Sequence, residues 1–415
     1  MKAITGFALS LVVAAPLGSY PLDGYSSTGI RRLLGYRLAY EGKLQSGLRL
    51  PEGALLNEND VRLRLRGVND DFDVSASTPK NPELQSGLDQ IAAELDPSYS
   101  IALLEISDPK NPRYAAIRPE VKRIPGSVGK LLVATGFFDA LRLRFPGEVA
   151  ARQEFVKSTL ITADSFVHLD GKTVPFFNEG DDQVKRRRIE IGDRFSLYEW
   201  LDHMLSPSSN ASGSTVWKQA MLFREFGARY PLAPEAEEEF LKTTPKMELQ
   251  RRSLEALAAP LRDAGINTDN LRLGTYFTRN ASAVIPGTSS YGNPLELMRW
   301  LVRLEQGKIV DEWSSLELKK LIYFSRRRYR YASSPALNKA AVYFKSGSLY
   351  NCQEEAGYTC RQYEGNKRNL MHSVAIVESG EKAYLVTMMS NVLKKNSAVE
   401  HQTIATRIER LIQGL

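Results

Sequence analysis

From Tyr99 onward, short apolar runs and amphipathic stretches follow one another in an order that predicts the architecture. Tyr99–Ile106 is apolar, Asp108-Pro109-Lys110-Asn111-Pro112 is a turn, and Tyr114–Ile117 resumes the run, the pattern of a β-hairpin. Beyond Pro125-Gly126, apolar residues at Leu131, Leu132, Ala134, Phe137, Phe138 and Leu141 recur at helical spacing and predict a helix over Val128–Leu143. Leu197–Met204, Thr215–Phe226 and Glu235–Leu261 predict three more helices, and Pro294 opens a fifth that runs to Glu305. The last third turns to strands at Ala340–Ser346, Leu370–Glu378 and Lys382–Ser390, with Gly380 in a turn, before an amphipathic helix over Val399–Ile412. Strands at both ends with helices between imply an α+β fold. Early and late strands meet in one antiparallel sheet and helices pack on it.

Upstream the pattern weakens. Asp23 to about Asp96 is polar and loop-rich, with one helix-like stretch near Gly29–Leu44. Turn signals at Pro51-Glu52-Gly53, Asn69-Asp70-Asp71 and Pro79-Lys80-Asn81-Pro82 interrupt it. Residues 23–96 are expected to be an N-terminal extension packed against a larger domain over residues 97–415. Ahead of it, Lys2, an apolar run from Ile4 to Ala15, and Pro16 and Gly18 describe a secretory signal over residues 1–22. The run is short for a bilayer span of about 20 residues, and an uncleaved anchor is the alternative. The expectation is an exported, periplasmic protein with no membrane contact if the signal is removed.

Composition adds limits. The chain is ordinary in its apolar and charged fractions, and its net charge of +7 favours anionic partners. Its two dense basic runs, Lys185-Arg186-Arg187-Arg188 and Arg326-Arg327-Arg328, are short and read as solvated faces. No nucleic-acid motif accompanies them, so a nucleic-acid partner is not expected. The only cysteines, Cys352 and Cys360, lie in one polar stretch. In an oxidising compartment they read as a disulfide, with two free thiols as the alternative. Too few ligands are present for a metal site, His168, His203, His372 and His401 show no paired spacing, and no cofactor is implied.

Three constellations carry chemistry. In Gly126-Ser127-Val128-Gly129-Lys130, Ser127 and Lys130 stand three residues apart at a helix start, on one face. The amine can reach the hydroxyl, which is a weak nucleophile until a base takes its proton. Burial near a helix N-terminus lowers a lysine pKa enough to supply that base. Ser208-Ser209-Asn210 offers a second hydroxyl to relay a proton and an amide to hold a carbonyl; alone it reads as a helix N-cap. Lys345-Ser346-Gly347-Ser348 ends a late strand, with a cation for a carboxylate and a glycine that lets backbone approach a ligand.

In this order and these contexts, the three motifs resemble those of the penicillin-recognising serine hydrolases, the class A β-lactamase branch best. The resemblance covers Tyr99 to Leu415 and extends to Ile191-Gly192-Asp193-Arg194-Phe195-Ser196-Leu197, and to Ile285-Pro286-Gly287 with Asn293-Pro294. It implies the β-lactamase/transpeptidase-like fold, with insertions near Pro146–Arg188 and Leu222–Leu261. It also implies Ser127 as acylated nucleophile, Lys130 as its base, Ser208 as proton relay and Asn210 on the substrate amide. Lys345 and Ser346 would bind a substrate carboxylate, and the N–H groups of Ser127 and Ser348 would form the oxyanion hole. The implied substrates are small β-lactams or peptidoglycan-derived D-alanyl peptides.

One family feature is missing. Class A β-lactamases place a deacylating Glu on a loop that corresponds here to Gly274–Ser282, yet Arg272 to Asn293 contains neither Asp nor Glu. Glu235, Glu237, Glu238, Glu239 and Glu248 lie upstream and read as a solvated helical face. The expectation is thus a serine acyl-hydrolase of the β-lactamase type. The alternatives are a D,D-peptidase or penicillin-binding protein, and a non-turnover protein that binds or senses cell-wall fragments.

Overall fold

A computed structural model describes residues 22–45, 51–54, 57–325 and 328–415. Residues 1–21 of the expected signal segment, and Arg326 and Arg327 of the second basic run, lie outside the described residues.

The chain opens with a single turn α1 (Tyr25–Thr28) and the helix α2 (Arg31–Tyr40), then α3 (Pro82–Ala92). The hairpin β1 (Ser100–Glu105) and β2 (Arg113–Ile117) follows, then α4 (Lys130–Arg144) and α5 (Val149–Ser158). Short strands β3 (Leu160–Thr162), β4 (Val174–Phe176), β5 (Lys185–Arg187) and β6 (Arg194–Ser196) lead into α6 (Leu197–Leu205) and α7 (Asn210–Phe226). Next come α8 (Pro234–Thr243), α9 (Lys246–Asp263), α10 (Arg279–Val284), α11 (Pro294–Glu305) and α12 (Glu312–Tyr323). The long strands β7 (Ala341–Asn351), β8 (Arg368–Ser379) and β9 (Lys382–Asn391), then α13 (Ala398–Gly414), complete the fold.

Five strands form one antiparallel sheet in the order β2-β1-β9-β8-β7. The expected meeting of early and late strands is the β1–β9 pair, with Ser100 opposite Met389 and Glu105 opposite Tyr384. Every residue of β1 is buried, and its side chains alternate between two clusters: Ala102 and Leu104 face one, Ile101 and Leu103 the other. The smaller cluster takes Leu84, Leu88 and Ile91 from α3 and Ile404, Ile408 and Ile412 from α13. The larger takes the helical body, including Phe137, Trp217 and Trp300. Helices therefore cover both faces. β7 stands at the edge, and its outer side borders the Ser127 turn.

Within residues 23–96, Ile30, Leu33, Leu65 and Val74 join the larger cluster and Leu84, Leu88 and Ile91 the smaller. A buried Arg32–Asp202 ion pair ties α2 to α6.

Four details differ from the sequence reading. Pro79-Lys80-Asn81-Pro82 is not only a turn. Asn81 caps α3 through the Leu84 N–H, with Pro82 at the first helical position. The stretch Glu235–Leu261 is two helices rather than one, because Pro245 has no N–H to give and Thr244 before it is extended. Glu237 is not on a solvated face: it pairs with buried Lys218, which also holds Asp164 at 2.6 Å. Of the basic runs, Lys185–Arg187 is exposed. Arg328 instead donates to the carbonyls of Leu337 (2.8 Å) and Ala340 (2.9 Å), and burial lowers its pKa to about 10.

Candidate active site

Ser127 lies in a single 3-10 turn, Gly126–Gly129, that feeds directly into α4. Gly126 starts the turn at φ +55°, a backbone region open to glycine, and a Cβ there would lie 3.4 Å from the backbone N and O of Ser348. From the other side, a Cβ on Gly347 would come 2.8 Å from the Pro125 carbonyl and 3.0 Å from the Val128 nitrogen. These two glycines let the serine turn and strand β7 touch backbone to backbone. His372, opposite Gly347 on β8, bonds the Ile124 carbonyl at 3.0 Å. Burial lowers the pKa of His372 to about 4, so it is neutral at pH 7 and serves as a strut.

Lys130 is fully buried, with its amine at the centre of the site. Nζ lies 3.0 Å from Ser127 Oγ, 2.8 Å from Asn210 Oδ1, 3.1 Å from the Ser208 carbonyl and 3.5 Å from Ser208 Oγ. Asn210 Oδ1 and the Ser208 carbonyl can only accept. A neutral amine has two N–H groups for them, which leaves its lone pair for a serine hydroxyl, Ser127 at 3.0 Å being nearer than Ser208 at 3.5 Å. Burial, and then the nearby Lys172 and Lys345, hold the Lys130 pKa well below the usual lysine value. This favours the neutral form.

Ser208 precedes α7 in the left-handed region, at φ +62°, an uncommon conformation for a residue with a Cβ. Lys345 Nζ donates to Ser208 Oγ at 2.8 Å and to the Ser346 carbonyl at 3.0 Å. The Ser208 hydroxyl thus stands between two lysines. Ser209 caps α7 through the Ser212 N–H, as expected of an N-cap. Ser346 and Ser348 lie half-buried on β7, and the Ser348 backbone packs beside Gly126 of the turn. The sequence-predicted residues Ser127, Lys130, Ser208, Asn210, Lys345, Ser346, Gly347 and Ser348 are therefore brought together.

Cys352 and Cys360 are bonded, their Cα atoms 6.2 Å apart, just past the end of β7. After this loop Tyr363 lies under the Arg330 guanidinium at 5.4 Å, and Arg330 donates to the Gly347 carbonyl at 2.7 Å.

Several residues at the site carry no sequence signal. Asp170 Oδ2 accepts from Ser209 Oγ (2.9 Å) and from the N–H groups of Asn210 (2.7 Å) and Ala211 (2.9 Å), fixing the start of α7. Lys172, two residues on, donates to the Ser208 carbonyl at 2.6 Å. Phe277 comes from the carboxylate-free loop over residues 274–282, its ring centre 4.4 Å from Lys130 Nζ. Gly213 of α7 leaves room for the lysine stem: a Cβ there would lie 2.8 Å from Lys130 Cε and 2.8 Å from the Phe277 ring.

No protein-family model matches the chain, and no curated protein is similar to it in sequence. Solved structures do match. The TLA-3 extended-spectrum β-lactamase superposes with a TM-score of 0.51 at 10% identity, over 80% of this chain and 97% of the other. A β-lactamase from Xanthomonas campestris gives 0.50 at 14% identity, over 79% and 97%. The fold is that of the class A β-lactamases. A PBP-A mutant, solved as an acyl-enzyme complex with penicillin G, shares this β-lactamase fold at 0.50 and 11% identity, over 81% and 98%. At such identities the shared property is the fold, and the chemistry has to be argued from the side chains.

Proposed function

We propose that this protein is an exported serine acyl-hydrolase, acylated at Ser127 by β-lactams or by D-alanyl peptides of the cell wall. The observation that carries the reading is the buried Lys130 amine, held by two acceptors and 3.0 Å from Ser127 Oγ. Lys130 takes the Ser127 proton as Oγ attacks the substrate carbonyl. The N–H groups of Ser127 and Ser348 receive the oxyanion. Ser208, held between Lys130 and Lys345, returns the proton to the leaving nitrogen as the amide C–N bond breaks. Asn210 holds the substrate amide, and Lys345 and Ser346 bind its carboxylate. Export is supported by the signal-like start and by the disulfide. Among the described residues no helix is long and apolar enough to cross a membrane.

A second reading, a penicillin-binding protein or D,D-peptidase, is favoured by one observation. The loop over residues 274–282 presents an aromatic ring to Lys130 where a β-lactamase presents a carboxylate. The PBP-A mutant, with the same fold, was solved as an acyl-enzyme with penicillin G. Fluorescent penicillin tests both readings: wild type is expected to be labelled and Ser127→Ala not. Release of label within minutes identifies a β-lactamase and persistence for hours a penicillin-binding protein. An unlabelled wild type removes the penicillin-recognising reading.

A further inference from the structure

Lys172 enters the site from the segment between α5 and α6, far in sequence from the three motifs. Its Nζ and that of Lys130 lie 2.6 Å and 3.1 Å from the same Ser208 carbonyl oxygen. The Ser208 hydroxyl is held at 2.8 Å by a third lysine, Lys345. Three amines thus converge on one residue. The carboxylate nearest to them, Asp170, gives one oxygen to the start of α7 and the other to the Lys172 backbone N–H at 3.1 Å. Two ammonium groups sharing one acceptor repel strongly where burial lowers the dielectric. The less buried of the pair retains its proton more easily, and that is Lys172, since Lys130 is fully enclosed.

We propose that Lys172 is a positioning residue for acylation: as an ammonium on the Ser208 carbonyl it keeps Lys130 an uncharged amine, its lone pair turned to the Ser127 hydroxyl. The inference rests on Ser127 acylation and adds the device that prepares its base. The charged groups facing Lys130 are Lys172, Lys345 and Asp170; those facing Lys172 are Asp170 and Arg330. Burial sets the Lys172 pKa at about 8, so at pH 7 it carries the charge that the role requires.

The test compares wild type, Lys172→Met and Lys172→Arg, all confirmed folded by thermal melting. The rate of fluorescent-penicillin labelling is followed from pH 5 to 10. Lys172→Met is expected to shift the rising limb upward by at least one pH unit and to approach the wild-type rate at high pH. Lys172→Arg, which keeps the charge, is expected to retain the wild-type limb. A loss by the same factor at every pH, or no change, overturns the proposal. The Lys130 amine is also titrated directly by NMR of carbon-13-labelled lysine, assigned with Lys130→Arg. An unmoved Lys130 titration in Lys172→Met overturns the proposal even where labelling works. A moved titration with no labelling of wild type keeps the control of the Lys130 charge by Lys172 but removes the acylation reading, and with it the role in acylation.

Discussion

The Lys130 side chain runs past the bare Cα of Gly213, where a methyl group would lie 2.8 Å from its Cε atom. Helix α7 therefore both presents Asn210 to the lysine and leaves the groove that the lysine occupies. Gly213→Ala is expected to push the Lys130 stem aside. Penicillin labelling falls at least tenfold, and overpacking costs ~1–3 kcal/mol. Stopped-flow labelling and thermal melts check this. An unchanged labelling rate would show that the groove has slack.

Lys130→Met is expected to abolish labelling, since a general base is worth about 10²–10⁴-fold. It also exchanges stability with pH in a definite direction. Burial, and then Lys172 and Lys345, hold the Lys130 pKa in the folded state well below the ordinary value of 10.5 at which the unfolded chain titrates it. Between the lowered folded pKa and that ordinary value the unfolded state binds more protons, so wild-type stability from this group rises with pH. The methionine variant lacks this slope. Its gain, on the order of 1 kcal/mol, is expected to be larger at pH 6 than at pH 9. Melting curves at the two pH values read the sign.

Phe277→Glu places a carboxylate beside Lys130 on the loop that has none. Two opposed effects are expected: slower acylation, because the ion pair charges Lys130, and faster release of the acyl group by an activated water. A label lifetime shortened at least tenfold is the outcome to look for. An unaltered lifetime would mean that the acyl carbonyl is out of reach of position 277.

Most elements were legible in the sequence because burial imposes their period. β1, α4, α11 and the three late strands fall close to where apolar spacing puts them. α3 was hidden by Asn81-Pro82, a pair that serves a turn and a helix start equally well. The break between α8 and α9 was hidden because Pro245 interrupts an otherwise continuous charged and apolar pattern. The motif residues were legible because their chemistry is local. Lys172, Asp170 and Gly213 were not: each acts on a partner brought close only by the fold, and nothing near Lys172 in sequence distinguishes it from a surface lysine. Phe277 could be seen only as a missing carboxylate, not as a ring against the Lys130 amine.

Cys352→Ser removes a crosslink closing a short loop, worth ~2–3 kcal/mol in the chain-entropy view. The loop leads through Tyr363 and Arg330 to the Gly347 carbonyl. The variant is therefore expected to weaken substrate binding more than the maximal acylation rate. A concentration series of labelling rates separates the two, and a loss confined to the maximal rate would contradict the linkage.

The pairing of β1 with β9 joins residues near position 100 to residues near position 389. Such distant closure is slow to form, because the intervening chain must be gathered before any contact compensates for it. Ser127 and Lys130 leave the ribosome early and together. Lys345 comes more than two hundred residues later, on a strand that has no place in the sheet until β8 and β9 follow. The half-built chain thus holds the Ser127–Lys130 pair without the strand that faces it, and the proposed reactivity would arrive only as a property of the finished molecule.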